Sequence, residues 1–245
     1  MFKSKYRLFE AFGIPVYIDL TFLILLFLFT TGSGNFSFGL ATAIVLAMSI
    51  TLHELGHALV AGLFGFKTRD ITLSLLGGCA SLIALPRKAW QEFVTALAGP
   101  LVSFAIAGGV LLIDVFEVEI TNRWLHAVLS YTFWMNVMLG VFNLMPGFPL
   151  DGGRIFRSVM RAFMSRAKAT FVAMIVGRGV AVLIGLRGLF SIFSGGNWGF
   201  ISLFIAWMIW KEGYREYQAA LAEERWENWT QDDFNARVSP PPYDR

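Results

Sequence analysis

Long apolar runs alternate with short polar segments along most of the chain, up to about residue 210. A helix that crosses a bilayer needs roughly 20 predominantly apolar residues, and several runs approach or exceed that length. The predicted spans cover residues 14–30, 38–64, 93–113, 125–143, 171–190 and 198–210. The pattern therefore predicts an all-α polytopic membrane protein with about six transmembrane helices.

Two polar regions interrupt or follow this pattern. Residues 72–82 tolerate β structure and contain the pair Gly77–Gly78, which predicts a short hairpin after the second span. Residues 211–245 are rich in charge, and we expect them to be helical at first and disordered at the Pro-rich end. The predicted organisation is a six-span membrane domain, 1–210, and a charged tail, 211–245.

Composition excludes an ordinary soluble domain. Hydrophobic residues make up 56% of the chain and charged residues 15%, whereas soluble domains carry roughly a quarter charged residues. The formal charge of +3 is modest and requires no nucleic-acid partner. The single cysteine, Cys79, excludes an internal disulfide and a cysteine-rich metal site. The first apolar run lacks a small-residue cleavage site, so we expect a retained helix rather than a signal peptide.

The positions of the basic residues predict an orientation. Lysine and arginine concentrate before the first span, after the second, after the fourth and around the tail, whereas the alternate loops are neutral or acidic. Cytoplasmic loops of membrane proteins carry an excess of these residues. We therefore expect an integral membrane protein with both termini in the cytoplasm.

The predicted second span contains the sequence His53-Glu54-Leu55-Gly56-His57. Two histidines four residues apart lie on one face of a helix, one turn from each other, and can hold one zinc ion. Glu54 lies next to them round the helix, where its carboxylate can act as a general base toward water. An ionisable residue at the centre of a membrane helix costs roughly 2.5–3.5 kcal/mol, which argues against a chance match.

The residues alone leave two interpretations of Asp151, the candidate third zinc ligand. A catalytic zinc normally has three protein ligands and an open position. His126 is predicted at the outer end of the fourth span, whereas His57 lies near the cytoplasmic end of the second, so their depths differ. Asp151 follows Pro146 and Pro149, which interrupt helical structure on the cytoplasmic side. Asp151 is therefore either the third ligand or the cap of the next helix.

Two motifs together carry a family resemblance. H-E-L-G-H in an early span and N-x-x-P-x-x-P-x-D-G in a later one resemble the site-2 protease family of intramembrane zinc metalloproteases, peptidase family M50. The resemblance extends from Gly13 to about Trp210. It implies that His53, His57 and Asp151 bind one zinc ion and that Glu54 activates water.

The same resemblance implies further roles. Asn143 is expected to help hold the substrate or the geometry of the site, and Gly77 and Gly78 to belong to a membrane-associated β-loop that positions substrate. Gly99 and Pro100 resemble a family motif in the following span. The implied activity is hydrolysis of peptide bonds in or near transmembrane segments of membrane-anchored proteins, as in regulated intramembrane proteolysis in a prokaryotic plasma membrane.

Two other functions remain as alternatives. A zinc transporter would spread polar ligands over several helices, but the predicted third span and the interior of the fourth are nearly free of ionisable groups. A prenyl-protein-type membrane protease would use a glutamate as third ligand, for which Glu92 is the candidate. The loops and the tail are too short for a PDZ domain or a pair of CBS domains, so we do not expect regulation by those modules.

Overall fold

The computed structural model describes residues 5–32, 34–74, 77–82, 88–116, 120–196 and 199–238. The chain divides into two structural units, Met1–Leu144 and Met145–Arg245. The elements of the first unit are β1 (Lys5–Ala11), β2 (Ile14–Asp19), α1 (Leu20–Gly32), α2 (Phe36–Leu63), β3 (Thr68–Ser74), β4 (Gly77–Leu82), α3 (Ala89–Val115) and α4 (Arg123–Asn143).

A four-stranded sheet with the order β1-β2-β3-β4 lies in this unit. Strands β1 and β2 form a hairpin in which Ala11 pairs with Ile14 across a two-residue turn. Both turn residues, Phe12 and Gly13, have positive φ, as a type I′ turn requires. Strand β2 runs parallel to β3, and β3 pairs antiparallel with β4, so the predicted hairpin around Gly77–Gly78 is confirmed.

The predicted single helix over residues 14–30 is wrong. Residues Ile14–Asp19 form strand β2, and the helix α1 begins only at Leu20. The strand alternates buried Ile14, Val16 and Ile18 with less buried neighbours, a period of two that uniform hydropathy conceals. Asp19 ends the strand and caps the helix, because its Oδ1 accepts a hydrogen bond from the Phe22 N–H at 3.0 Å.

The sheet packs against α2 and thereby fixes the position of that helix. Buried side chains of β2 and β3 contact apolar side chains of α1 and α2. The resulting core contains Ile14, Val16, Ile18, Phe22, Leu46, Ile50, Leu55, Ala58, Ile71 and Leu73. Leu55 and Ala58 belong to the segment of α2 that carries the H-E-L-G-H motif, so this segment is anchored on a packed sheet.

The described residues of the second unit form the helices α5 (Asp151–Met160), α6 (Arg166–Phe193) and α7 (Gly199–Val238). Helices α6 and α7 pack closely through small residues. A Cβ on Gly188 would lie only 2.9 Å from the Gly199 carbonyl oxygen and from Ser202 Cβ. Small residues allow such close helix–helix approach in membranes.

Four of the described helices are long and apolar enough to cross a membrane: Phe36–Leu63, Ala89–Ile113, Arg123–Asn143 and Arg166–Phe193. They correspond to the predicted second to fifth spans. The apolar helix α1, Leu20–Gly32, is shorter. The predicted sixth span is the start of α7, which continues without a break from Gly199 to Val238. The count of six spans is not confirmed, and the predicted disordered end, 239–245, lies outside the described residues.

Candidate metal centre

Two buried histidines lie side by side in the middle of unit 1. His53 and His57 project from one face of α2, and their side chains are almost fully buried, with residue exposures of 2% and 5%. The ring centroids lie 4.9 Å apart and the ring planes are nearly perpendicular. The four-residue spacing within α2 therefore places the two imidazoles together in an apolar setting.

Helix α3 holds the Nδ1 atom of each ring. His57 Nδ1 lies 2.7 Å from the Thr95 carbonyl oxygen, and His53 Nδ1 lies 2.9 Å from Ser103 Oγ. A carbonyl oxygen can only accept, so His57 Nδ1 carries the proton and donates it. A neutral His57 then has its lone pair on Nε2, the nitrogen that a metal ion would use.

Gly99 lies against both Nε2 atoms. A Cβ at this position would approach His53 Nε2 to 2.6 Å and His57 Nε2 still more closely. Only a residue without a side chain leaves this space open. The next residue, Pro100, lies inside α3 and removes the main-chain hydrogen bond that would reach the Ala96 carbonyl. The predicted Gly99–Pro100 motif therefore borders the two imidazoles.

Glu54 points from α2 toward the edge of the sheet. Its Oε2 accepts a hydrogen bond from the main-chain N–H of Ala80 in β4 at 3.0 Å. A Cβ on Gly78 would lie 2.8 Å from Glu54 Cδ and Oε1. Strand β4 therefore holds the carboxylate by one main-chain donor, and Gly78 leaves the room that the carboxylate occupies. The atoms nearest to a Cβ added at Gly78 all belong to the Glu54 side chain.

Two other residues considered in the sequence analysis, Asn143 and His126, both lie in α4. Asn143, the last residue of α4, donates from Nδ2 to the Leu139 carbonyl at 2.9 Å. His126 is exposed in the first turn of α4 and lines a cavity of about 210 Å³ together with the end of α3, including Ile113. Ile113 is ten residues beyond Ser103, about 15 Å along a helix, so the structure places His126 far from the histidine pair.

Asp151 is the first residue of α5 in the second unit, one position after the N-cap. The N-cap residue is Leu150, which makes no side-chain capping bond. The Asp151 carboxylate is buried, with a residue exposure of 7%, and Arg154 Nη1 lies 3.9 Å from its Oδ1. The residue follows a cis Phe148–Pro149 peptide bond. A buried carboxylate is stable only with hydrogen-bonding, cationic or metal partners.

The donor set fits a zinc ion. Zinc binds imidazole nitrogen and carboxylate oxygen, usually with three protein ligands in a catalytic site. Within the described part of unit 1, no further His, Cys, Asp or Glu joins the two rings in a three-ligand group. Glu92, the alternative third ligand, is buried in the first turn of α3 but is outside any such group among the described residues.

Sequence reasoning missed the contacts that orient the histidines and the glutamate. Ser103, the Thr95 carbonyl and the Ala80 N–H were not among the predicted site features. Thr95, Gly99 and Ser103 recur every four residues in an otherwise apolar span, and this small or polar stripe was the available signal. The Ala80 N–H is a main-chain group, and only strand pairing reveals its direction.

Comparison with known proteins finds similarity to zinc metalloproteases. The profile described as peptidase family M50 matches residues 41–119 and 108–186. A putative zinc metalloprotease from Synechocystis is 31% identical over 256 residues, which cover 97% of this chain and 66% of the relative. A zinc metalloprotease from Methanocaldococcus jannaschii is 40% identical over 189 residues, 76% of this chain and 54% of the relative. The chain thus spans between about half and two thirds of the length of these relatives.

A solved structure extends the similarity to the fold. The site-2 protease from Methanocaldococcus jannaschii aligns with a TM-score of 0.64 and 31% identity over 87% of this chain and 95% of that one. The apolar helices agree with an integral membrane protein. The family profile covers more than half of the chain, and this match includes the H-E-L-G-H motif. The chain therefore belongs to peptidase family M50 and has the fold of a site-2 protease.

Proposed function

We propose that the protein is an intramembrane zinc endopeptidase that hydrolyses peptide bonds in or near the transmembrane segments of membrane-anchored proteins. The observation that carries the proposal is the histidine pair of α2. Both imidazoles are buried, both Nδ1 atoms contact α3, and both Nε2 atoms border the space at Gly99. Two imidazole nitrogens placed together in this way can both bind one zinc ion.

We assign His53, His57 and Asp151 as the ligands of one zinc ion. The two imidazoles supply nitrogen and Asp151 supplies a buried carboxylate oxygen. The chemistry that zinc supplies when bound is polarisation of the scissile carbonyl and a lowered pKa of water. Within the described part of unit 1, no third residue completes a three-ligand group with the two histidines. This favours a third ligand from elsewhere in the chain.

Glu54 is the proposed general base. It neighbours both histidines in α2, and the Ala80 N–H holds its carboxylate at the edge of β4. In this role Glu54 takes the proton of the attacking water and returns it to the leaving amine, so that proton number is conserved over the reaction. A positioned acid–base group of this kind contributes about 10² to 10⁴ in rate.

A substrate helix must unwind before its peptide bond is accessible, and β4 offers a place for the extended segment. Strand β4 is an edge of the sheet and pairs only with β3 among the described strands. An extended peptide can add to such an edge through main-chain hydrogen bonds. We propose that β4, with Gly77 and Gly78 at its start, receives the segment next to Glu54, and that Asn143 helps to hold it.

The proposed location is a prokaryotic plasma membrane with both termini in the cytoplasm. Basic residues gather in the segments assigned to the cytoplasmic side, including the first strand and the segment after α4. The partners of the protein would then be the lipid bilayer and protein substrates with a transmembrane segment. Water would reach the site from the cytoplasmic side, because H-E-L-G-H lies near that end of α2 in this orientation.

Metal content of four proteins tests the ligand assignment. We expect about one zinc per chain in the wild type and in Glu92→Gln, but little zinc in His57→Ala and Asp151→Asn, because removal of a ligand leaves an incomplete site. The measurement is elemental analysis of detergent-purified protein after equilibration with a zinc buffer. Circular dichroism confirms that each variant is folded.

The opposite pattern would contradict the assignment. Zinc retained in folded Asp151→Asn but lost in Glu92→Gln would favour the prenyl-protein type of protease. A folded wild-type protein without zinc under these conditions would remove the metal site altogether.

A further inference from the structure

We propose that Ser103 is a positioning residue that orients the His53 imidazole for zinc and raises the affinity of the site for the metal. The inference rests on the proposed zinc site and deepens it. Ser103 lies in α3 and is fully buried, and its Oγ lies 2.9 Å from His53 Nδ1. It contacts Nδ1 of the ring, whereas Nε2 is the proposed ligand nitrogen.

The Ser103 contact differs from those of three buried threonines in the helices. Thr42, Thr51 and Thr170 each donate to a carbonyl four residues earlier in their own helix, the ordinary arrangement for a hydroxyl in an apolar helix. Ser103 instead reaches an imidazole of the neighbouring helix, 50 residues away in sequence. Its hydroxyl therefore joins α3 to the candidate metal centre.

The Ser103–His53 contact has a counterpart in the contact between the Thr95 carbonyl and His57. Along α3, Thr95, Gly99 and Ser103 follow each other at four-residue intervals on one face. Their contacts are a carbonyl bond to His57, open space for both Nε2 atoms, and a hydroxyl bond to His53. One face of α3 thus fixes both ring orientations and leaves the ligand nitrogens facing a single space.

Zinc affinity depends on such contacts. When a histidine binds zinc through Nε2, its Nδ1 carries a proton, and an acceptor at Nδ1 fixes the ring and makes the ligand more basic. Ser103 Oγ provides that acceptor for His53. Loss of a partner of this kind typically costs 10- to 100-fold in metal affinity. The Thr95 contact comes from a main-chain carbonyl, so Ser103 is the partner that a side-chain substitution can remove.

The test compares Ser103→Ala with Ser49→Ala in the full-length, detergent-purified protein. Ser49 is also buried, lies one turn before His53 in α2, and bonds to the Asn136 amide rather than to a histidine. Both changes delete one hydroxyl from the same unit. Zinc affinity is measured by competition with a chromophoric chelator, and thermal unfolding reports whether each variant is folded. Visible absorption of the cobalt-substituted proteins reports the ligand environment.

We expect Ser103→Ala to bind zinc about 10- to 100-fold more weakly than wild type and to shift the cobalt absorption bands, whereas Ser49→Ala retains wild-type affinity and spectrum. Wild-type affinity in Ser103→Ala would overturn the inference while leaving the zinc site intact. Equal weakening in both variants would also overturn it, because packing would then explain the effect. A wild-type protein that binds no zinc would instead contradict the proposed function.

Discussion

At the residue scale, the candidate site depends on where side chains are absent as much as on where they are present. Gly99 leaves space beside two imidazole nitrogens, and Gly78 leaves space for the Glu54 carboxylate. Gly56, within the H-E-L-G-H motif, allows close packing of α2 on α3, because a Cβ there would lie 2.8 Å from Val102 Cγ2. These glycines explain why polar groups of α2 can approach α3 and β4 so closely.

Gly99→Ala should strongly weaken zinc binding without unfolding the protein. The added methyl would occupy the space next to both Nε2 atoms, so we expect zinc affinity to fall by at least about 100-fold, the upper end of the cost of a lost orienting contact. The measurement is zinc competition against a chelator, with circular dichroism as a check on folding.

Gly109→Ala is the matched control for this change. Gly109 lies in the same helix, and a Cβ there would meet nothing within 4 Å. We expect wild-type zinc affinity and a slightly more stable helix, since alanine favours helix over glycine by about 0.5–1 kcal/mol. Wild-type zinc affinity in Gly99→Ala would show that the space at Gly99 is unrelated to the metal.

At the element scale, α5 is held in place within the second unit. The Arg157 side chain of α5 is 4% exposed, stacks 4.8 Å above the Phe148 ring and binds Glu216 of α7 at 2.7 Å. Gly147 packs against Gly177 of α6, where a Cβ would lie 3.0 Å from the Gly147 Cα. The segment that leads to Asp151 is therefore fixed against both long helices of its unit.

Glu216→Gln should destabilise this arrangement. The change weakens a hydrogen bond to a buried guanidinium, and we expect a loss of about 1–2 kcal/mol in the free energy of unfolding, because bonds to charged groups contribute more than neutral ones. Thermal or denaturant unfolding in detergent measures it. Glu212→Gln is the control, since Glu212 pairs with the largely exposed Arg215 on the same helix. That change should cost less than about 0.5 kcal/mol. Equal losses would refute a special role for the Arg157–Glu216 pair.

At the scale of the whole molecule, sequence patterns predicted the long apolar helices and the paired histidines of the H-E-L-G-H motif. Four predicted spans correspond to helices, because runs such as 93–113 far exceed the length of a strand. Strand β2 escaped prediction, because its apolar residues are continuous with those of α1 and conceal a two-residue alternation. Strand β1 is exposed along most of its length and shows no such alternation. Ser103 escaped because its role depends on a partner 50 residues away.

The most direct test of the central claim is cleavage of a tagged single-span membrane protein in liposomes by the wild type and by Glu54→Gln. Glutamine is nearly isosteric with glutamate and keeps an oxygen that can accept from the Ala80 N–H, but it cannot take a proton from water. We predict that the wild type cuts the substrate in or near its transmembrane segment and that cleavage by Glu54→Gln falls by about 10² to 10⁴, with zinc content unchanged. Equal cleavage by the two proteins would contradict the account.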